Sequence, residues 1–345
     1  MDKITLATRY DDAVSRLGEK WSTWLKRVPE DIKARTQEVH LHTGSPVVLT
    51  GAGMFSFVTD KGDVTSVYQD GLPTATLETM EKAIAALCDY SIHSFQGDIQ
   101  NGFITVRGGH RAGICGTAVI EKGGISSIRD ISSINLRIAR QHFGAADSIL
   151  HSAFAKGIKG LLLAGPPGCG KTTILRDLAR QLSSGAAGCY YRVALVDERG
   201  ELGGVYRGQA QNNLGPCCDC LDGYPKAQGI LQALRSLAPQ VIVCDEVGDD
   251  ADIDAIKAGV NGGAKMIVSI HAGSLSELMD RPQGRALLST NAFDYVAVME
   301  GREHPGHIQS ITKAGDLLED HRAVVFDCDG DLSGPDEIGG IWGPC

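Results

Sequence analysis

Apolar positions along the chain follow two rhythms, and the change falls between Gln141 and Ser148. In the first part, Val14, Leu17, Trp21, Trp24, Leu25 and Val28 recur at spacings of three and four, which predicts one amphipathic helix over 10–28 closed by Pro29. Such an aromatic stripe belongs to a core more often than to a partner surface. Short apolar runs follow at Glu38–His42, Val47–Leu49 and Met54–Val58, separated by glycine turns, and these predict strands. A helix is expected over 76–90, with Thr76 as N-cap and Glu78 in its first turn. Strand patterns resume at Gly102–Val106, Ala112–Ile120 and Asn135–Ala139, with the basic turn Arg107–Arg111 between the first two. The turn reads either as a solvated hairpin or as a contact to an anion or a neighbouring subunit. This part is α+β.

The second part reads differently. Leu161–Ala164, Arg192–Asp197, Val241–Cys244, Lys265–Ile270 and Tyr295–Glu300 are continuous apolar runs, the pattern of strands buried on both faces. Helical spacing lies between them, at Ile174–Leu182 and at Pro225–Leu237, and Ser274-Leu-Ser-Glu277 has the form of a capping box. Gly203–Gly223 is rich in Gly, Asn and Cys and is expected to be one long loop. The expected organisation is an N-terminal α+β domain over 1–144, an α/β domain over 145–320, and an acidic, glycine-rich, poorly ordered tail over 321–345.

Composition narrows the class. The 345 residues are 43% hydrophobic and 22% charged, as in soluble globular proteins, and contain no run of 18 apolar residues. The first residues, MDKITLATRYDD, lack the apolar core of a signal peptide, so a cytoplasmic location is expected. A net charge of −9 argues against broad nucleic-acid binding. Of ten cysteines, Cys88, Cys115, Cys189 and Cys244 lie in apolar surroundings and are expected to be small core residues. Cys217, Cys218 and Cys220 could contribute to a metal or redox site, but no second CxxC or His pair stands at zinc-finger spacing.

The chemistry is concentrated after the first of the buried runs. Gly165-Pro166-Pro167-Gly168-Cys169-Gly170-Lys171-Thr172 satisfies the phosphate-loop pattern GxxxxGK[ST], between a strand pattern and a helix pattern. Glycines there let backbone N–H groups converge on a polyphosphate at a helix N-terminus. Lys171 is expected to reach the β and γ phosphates, Thr172 to ligate Mg²⁺, and Thr173 to complete the binding segment. Val241–Glu246 ends in two acids and has Walker B form. Asp245 would hold Mg²⁺ through water and Glu246 would polarise the attacking water. A full strand and helix between the phosphate loop and Asp245, with Glu directly after Asp, favour a RecA-like, additional-strand P-loop NTPase. No NKxD guanine signature is present, which leaves adenine as the expected base. His271 and Ser269 fall at the C-terminal end of a further strand and are candidate sensors of the γ-phosphate. Asp197, Glu198 and Glu201 end another strand on that edge, where they either assist catalysis or are simply solvated.

Longer segments resemble the stage III sporulation protein AA family, relatives of the type II and type IV secretion ATPases. They are Gly102–Gly113, Ser132–Arg140, Val196–Glu201, Leu221–Ala227 and, most specifically, Arg235–Gly248, so the likeness covers roughly 35–300. The resemblance implies an ATP hydrolase of the mother-cell cytoplasm that reaches the membrane through channel proteins linking mother cell and forespore. It also implies a ring, hexameric in the related ATPases, in which arginines complete each nucleotide site. Arg111, Arg137, Arg140, Arg199 and Arg207 are the candidates, with Arg137 and Arg140 foremost. Two departures stand out: Cys217-Cys-Asp-Cys220 replaces the family's Arg-Thr-Asp-Val, and Glu38-Val-His-Leu-His42 replaces Glu-Ile-Arg-Leu-Arg. A nucleic-acid-stimulated motor of the RecA type and a nucleotide-binding scaffold subunit are the alternatives.

Overall fold

The computed structural model describes residues 3–121 and 124–317, so the expected tail over 321–345 lies outside the described residues. Two sheets with separate cores make up the molecule, and the chain passes from one to the other between Arg137 and Leu161.

The N-terminal part opens with α1 (Lys3–Ser15), α2 (Glu19–Leu25) and α3 (Glu30–Arg35). The single helix expected over 10–28 is therefore two, because Gly18 takes φ +89°, a left-handed conformation that a helix cannot continue through. The stripe still faces the core: Tyr10, Val14, Leu17, Trp21 and Leu25 are buried together. Strands β1 (Glu38–His42), β2 (Val48–Gly51), β3 (Met54–Val58) and β4 (Val64–Thr65) follow. Then come α4 (Leu77–Leu87), the short α5 (Gln96–Gln100), and β5 (Phe103–Val106), β6 (His110–Glu121) and β7 (Gly124–Arg137). Thr76 caps α4 by accepting the Thr79 N–H. All neighbours in the sheet, ordered β4-β3-β2-β1-β7-β6-β5, are antiparallel. Cys88 is buried as expected, but Cys115 is exposed. Along β6, Ala112 and Ile114 point inward, so the pleat turns Cys115 to solvent.

After α6 (Asp147–Ser152) the second sheet begins with β8 (Leu161–Ala164), and the phosphate loop leads into α7 (Lys171–Ser183). The chain continues through β9 (Val193–Asp197), β10 (Cys218–Asp222), α8 (Lys226–Ser236), β11 (Val241–Cys244), α9 (Asp250–Asn261) and β12 (Lys265–Ile270). It closes with α10 (Leu275–Asp280), α11 (Pro282–Ser289), β13 (Tyr295–Met299) and β14 (Ile308–Lys313). The order is β10-β9-β11-β12-β8-β13-β14, parallel except for the last pair. Strands β8, β9, β11 and β12 are buried almost throughout, and helices cover both faces. This is an α/β P-loop ATPase fold with a smaller α+β domain before it. A full strand does lie between the phosphate loop and Asp245 in sequence (β9), while in the sheet it is β12, which follows both, that sits between β8 and β11.

Two further expectations are corrected. The long loop Gly203–Gly223 ends in a strand, because β10 pairs in register with β9, from Cys218 opposite Val193 to Asp222 opposite Asp197. Cys218 and Cys220 pack against the core there, and burial pushes the Cys218 thiol up to about 12 and that of Cys220 higher still. They pack there as small, partly buried side chains, and the raised pKa favours the thiol over the thiolate. Cys189 is exposed in the turn after α7, whereas Cys244 is buried.

Candidate functional site

All the parallel strands of the second sheet deliver their C-terminal ends to one edge, and the polar residues gather there. Gly168 and Gly170 in the loop after β8 adopt φ +78° and +101°. Cys169 points inward, fully buried, with Sγ 3.7 Å from Met299 Sδ on β13. Lys171, at the start of α7, is buried, and its Nζ donates to the carbonyls of Gly165 at 2.8 Å and Pro166 at 3.1 Å. Thr172 Oγ1 donates to Asp245 Oδ2 at 2.6 Å, which brings the loop and the end of β11 into direct contact.

Strand β12 shapes the rest. The Ser269 hydroxyl donates to Asp245 Oδ1 and accepts the Glu246 N–H at 2.9 Å, and its carbonyl accepts the Val247 N–H at 2.9 Å. Those bonds hold Glu246 at φ +53°, a left-handed conformation that is uncommon away from glycine and costs on the order of 1 kcal/mol or more. His271 follows the strand and bridges two charged groups. Nδ1 lies 3.1 Å from Lys171 Nζ and Nε2 lies 2.9 Å from Glu246 Oε1. One tautomer satisfies both contacts, with Nδ1 accepting from the ammonium and Nε2–H donating to the carboxylate. Arg199 Nη1 takes the other carboxylate oxygen of Glu246 at 2.6 Å. A chain of contacts thus runs from Lys171 through His271 and Glu246 to Arg199.

The acids after β9 divide their tasks. Asp197 is buried, which raises its pKa, and its carboxylate accepts the N–H groups of Glu201, Leu202 and Gly203, so it caps the loop. Glu198 pairs with Lys226 at 2.5 Å. Glu201 pairs with Arg111 on β6 at 2.9 Å. A cavity of ≈ 20 Å³, lined by Asp197, Glu198, Arg199, Asp245 and Glu246 among others, opens beside the Glu246 carboxylate. That is room for one water.

The arginines of the first domain separate as well. Arg140 donates through Nη2 to the carbonyls of Ala34, at 2.8 Å, and Thr36, while its Nε is buried without a hydrogen-bond partner. Arg137 stands opposite Arg111 across the β6–β7 pairing, so both leave the same sheet face. Arg207 pairs with Asp89 at 3.1 Å, away from the Lys171–Glu246 chain. The Arg107–Arg111 turn docks onto the second domain, where the Gly108 N–H donates to Gln211 Oε1 at 2.8 Å.

Sequence reasoning missed Lys226, whose partner lies 28 residues upstream. It also missed Arg176, which donates to the Leu202 carbonyl at 2.9 Å and supports the loop under Glu201. Neither carries a local signal, because each is defined by a contact between elements. Among the described residues, no three or more His, Cys, Asp or Glu side chains converge on one metal-sized point. The arrangement offers instead a hydroxyl and a carboxylate beside a glycine loop and a buried ammonium. That set can hold a polyphosphate with a hard, partly hydrated cation.

Comparison with known proteins agrees with this reading of the fold. The family Sporulation stage III, protein AA matches residues 17–317. Stage III sporulation protein AA of Bacillus subtilis (strain 168) is 35% identical over 304 residues, covering 88% of this chain and 95% of the relative. Among solved structures, the pilus retraction motor PilT with bound ADP superposes with a TM-score of 0.53 at 15% identity, covering 85% of each chain. The ATPase DotB of Yersinia pseudotuberculosis gives 0.51 at 14% identity, covering 85% of this chain and 82% of its own. Among the described residues no helix is long and apolar enough to cross a membrane. By the extent of both sequence matches, and with the fold they accompany, this chain belongs to the stage III sporulation protein AA family.

Proposed function

We propose that the chain is a Mg²⁺-dependent ATP hydrolase of the secretion-ATPase type, working as a ring, that drives assembly or operation of a mother cell–forespore channel during sporulation. One observation carries the enzymatic part. At a single sheet edge, Thr172 meets Asp245 at 2.6 Å while Lys171 is linked through His271 to Glu246. The channel, the ring and a mother-cell location at the membrane follow from the family resemblance, with the sporulation name of the Bacillus subtilis relative beside it.

The residues fit the groups they would bind. The positive φ values of Gly168 and Gly170 suit a backbone nest of the kind that binds anions, and a Cβ at either position would crowd the hairpin after β13, so glycine serves both the loop's conformation and that close approach. Thr172 would supply a hard oxygen ligand and Asp245 would hold the ion through water, as suits Mg²⁺, which keeps several waters and takes its remaining contacts from phosphate. When bound, the cation would neutralise charge on the transferred phosphoryl group. Lys171 offers a desolvated positive charge to the β and γ oxygens. Glu246 faces the cavity beside it and would orient and polarise a water there for in-line attack. Arg199 and His271 hold that carboxylate from two sides, and His271 would report the γ-phosphate to both Lys171 and Glu246.

The test is turnover by the full chain with Mg²⁺ and ATP, alongside Glu246→Gln. The variant is expected to bind ATP as the parent does and to hydrolyse it about 10²–10⁴-fold more slowly. Wild-type turnover by the Gln variant would remove Glu246 from the role assigned to it.

A further inference from the structure

The hairpin joining β13 to β14 has no role in the chemistry so far, yet it touches the phosphate loop at three points. Met299, the last residue of β13, lies beneath Cys169. Arg302 Nε donates to the Pro167 carbonyl at 2.7 Å. The Gly306 N–H donates to the Cys169 carbonyl at 2.8 Å. The turn is itself braced, since the Glu300 N–H donates to the His307 carbonyl at 3.0 Å and the His304 N–H to that of Gly301 at 3.2 Å. Contact is tight: a Cβ on Gly170 would stand 2.9 Å from the Gly306 nitrogen, and one on Gly168 would stand 3.3 Å from Arg302 Nε.

The two carbonyls matter because a trans peptide is planar, with its C=O and the following N–H pointing in opposite directions. Fixing the Pro167 carbonyl toward the hairpin therefore turns the Gly168 N–H away from it. Fixing the Cys169 carbonyl does the same for the Gly170 N–H. Both amides therefore point away from the hairpin, in a loop whose first two carbonyls, those of Gly165 and Pro166, are held by Lys171 Nζ. Glycine in the left-handed region can flip its peptide planes at little cost, so such a loop is not oriented by its own sequence. The geometry points to the Gly301–His307 hairpin as the element that aims the phosphate-loop amides, with Arg302 as its positioning residue for a polyphosphate ligand. This rests on the nucleotide reading given above.

Arg302 is exposed, so its removal leaves the core intact. The experiment is calorimetric titration of the full chain with pyrophosphate, which engages the loop without a base or ribose, and with ADP. Arg302→Ala is expected to weaken both by about tenfold, the size of one charge-assisted hydrogen bond, with ligand-free thermal stability unchanged. Arg302→Lys, which can still donate to the Pro167 carbonyl, should recover most of the loss, as a merely space-filling role would not. Pyrophosphate binding by Arg302→Ala within twofold of wild type would overturn the assignment, as would equal weakness of the Ala and Lys variants. If the wild-type chain binds neither ligand, the nucleotide reading itself fails and the hairpin's role falls with it.

Discussion

Two polar clusters in this molecule use the same residue types to opposite ends. At the edge of the second sheet, His271 is partly exposed and joins two charged side chains, Lys171 and Glu246, the second of which also lines a small cavity. In the first domain, His110 is fully buried. Its Nε2 lies 3.0 Å from Asp12 Oδ2, and its Nδ1 accepts the Ala139 N–H at 3.0 Å. Arg16 takes the other oxygen of Asp12, and Arg9 donates to the Ala139 carbonyl at 3.0 Å. The first-domain cluster spends its hydrogen-bonding capacity on the protein. The cluster at the sheet edge spends it on contacts that a phosphate or a water can replace. The same contrast separates Arg140, held by two backbone carbonyls, from Arg199, exposed and resting on Glu246. Residue type alone therefore says little; what a polar group has for partners decides whether it builds or acts.

That contrast can be broken by substitution, beginning with the largest effect. Lys171→Ala should reduce ATP turnover by about 10³-fold or more and weaken nucleotide binding, because it removes the charge aimed at the phosphates. Urea unfolding should be unchanged or slightly more favourable to the fold, since a buried ammonium is lost. A large loss of stability in that variant would place Lys171 among the structural groups. His110→Ala should do the reverse, costing about 2 kcal/mol or more by leaving Asp12 and the Ala139 N–H short of partners. Tryptophan fluorescence during urea unfolding reads this directly, because Trp21 and Trp24 sit in that core.

The same pair predicts a pH dependence. Burial holds the folded-state pKa of His110 below its ordinary value near 6.5, while the hydrogen bond from His110 depresses that of Asp12, which stays ionised. Between the folded and unfolded pKa values of His110 the unfolded chain binds the extra proton, so stability is complete above about pH 6.5 and falls as the pH drops below it. The contribution of His110 to that slope is at most about 1.4 kcal/mol per pH unit, and the slope should be reduced in His110→Ala, with the remainder coming from His40 and His142, whose pKa values burial also lowers. The smallest effect is expected at the domain contact. Arg111→Ala removes an exposed pair with Glu201 and should cost under about 1 kcal/mol, measurable as a slight shift in the urea midpoint.

Most of the strands were legible because apolar runs of four to six residues bounded by glycine have few other solutions in a globular chain. The phosphate loop and Asp245-Glu246 were legible because each is a contiguous segment whose chemistry depends on neighbours one to seven residues away. Strand β10 was not, since Cys218-Asp-Cys-Leu-Asp222 has little β-branched character and becomes a strand only by pairing with the exposed edge of β9. The break at Gly18 was hidden by a stripe that continues across it, because two helices packed on one core need the same apolar positions as one. The position of β12 between β8 and β11 was not legible for a related reason: order along the chain does not give order across a sheet.

By itself the sequence determined the fold class, the glycine loop with its lysine and threonine, and the two acids at the end of a buried strand. These are properties of local spacing, and local spacing is all that backbone geometry and a one-dimensional pattern need. Only the tertiary structure decided the pairings: Ser269 under Asp245, His271 between Lys171 and Glu246, Glu201 on Arg111, and Arg302 on Pro167. The last of these joins residues 135 positions apart. Such contacts depend on which strands lie side by side and which way each peptide faces, and hydrophobic burial fixes those only when the whole sheet has formed.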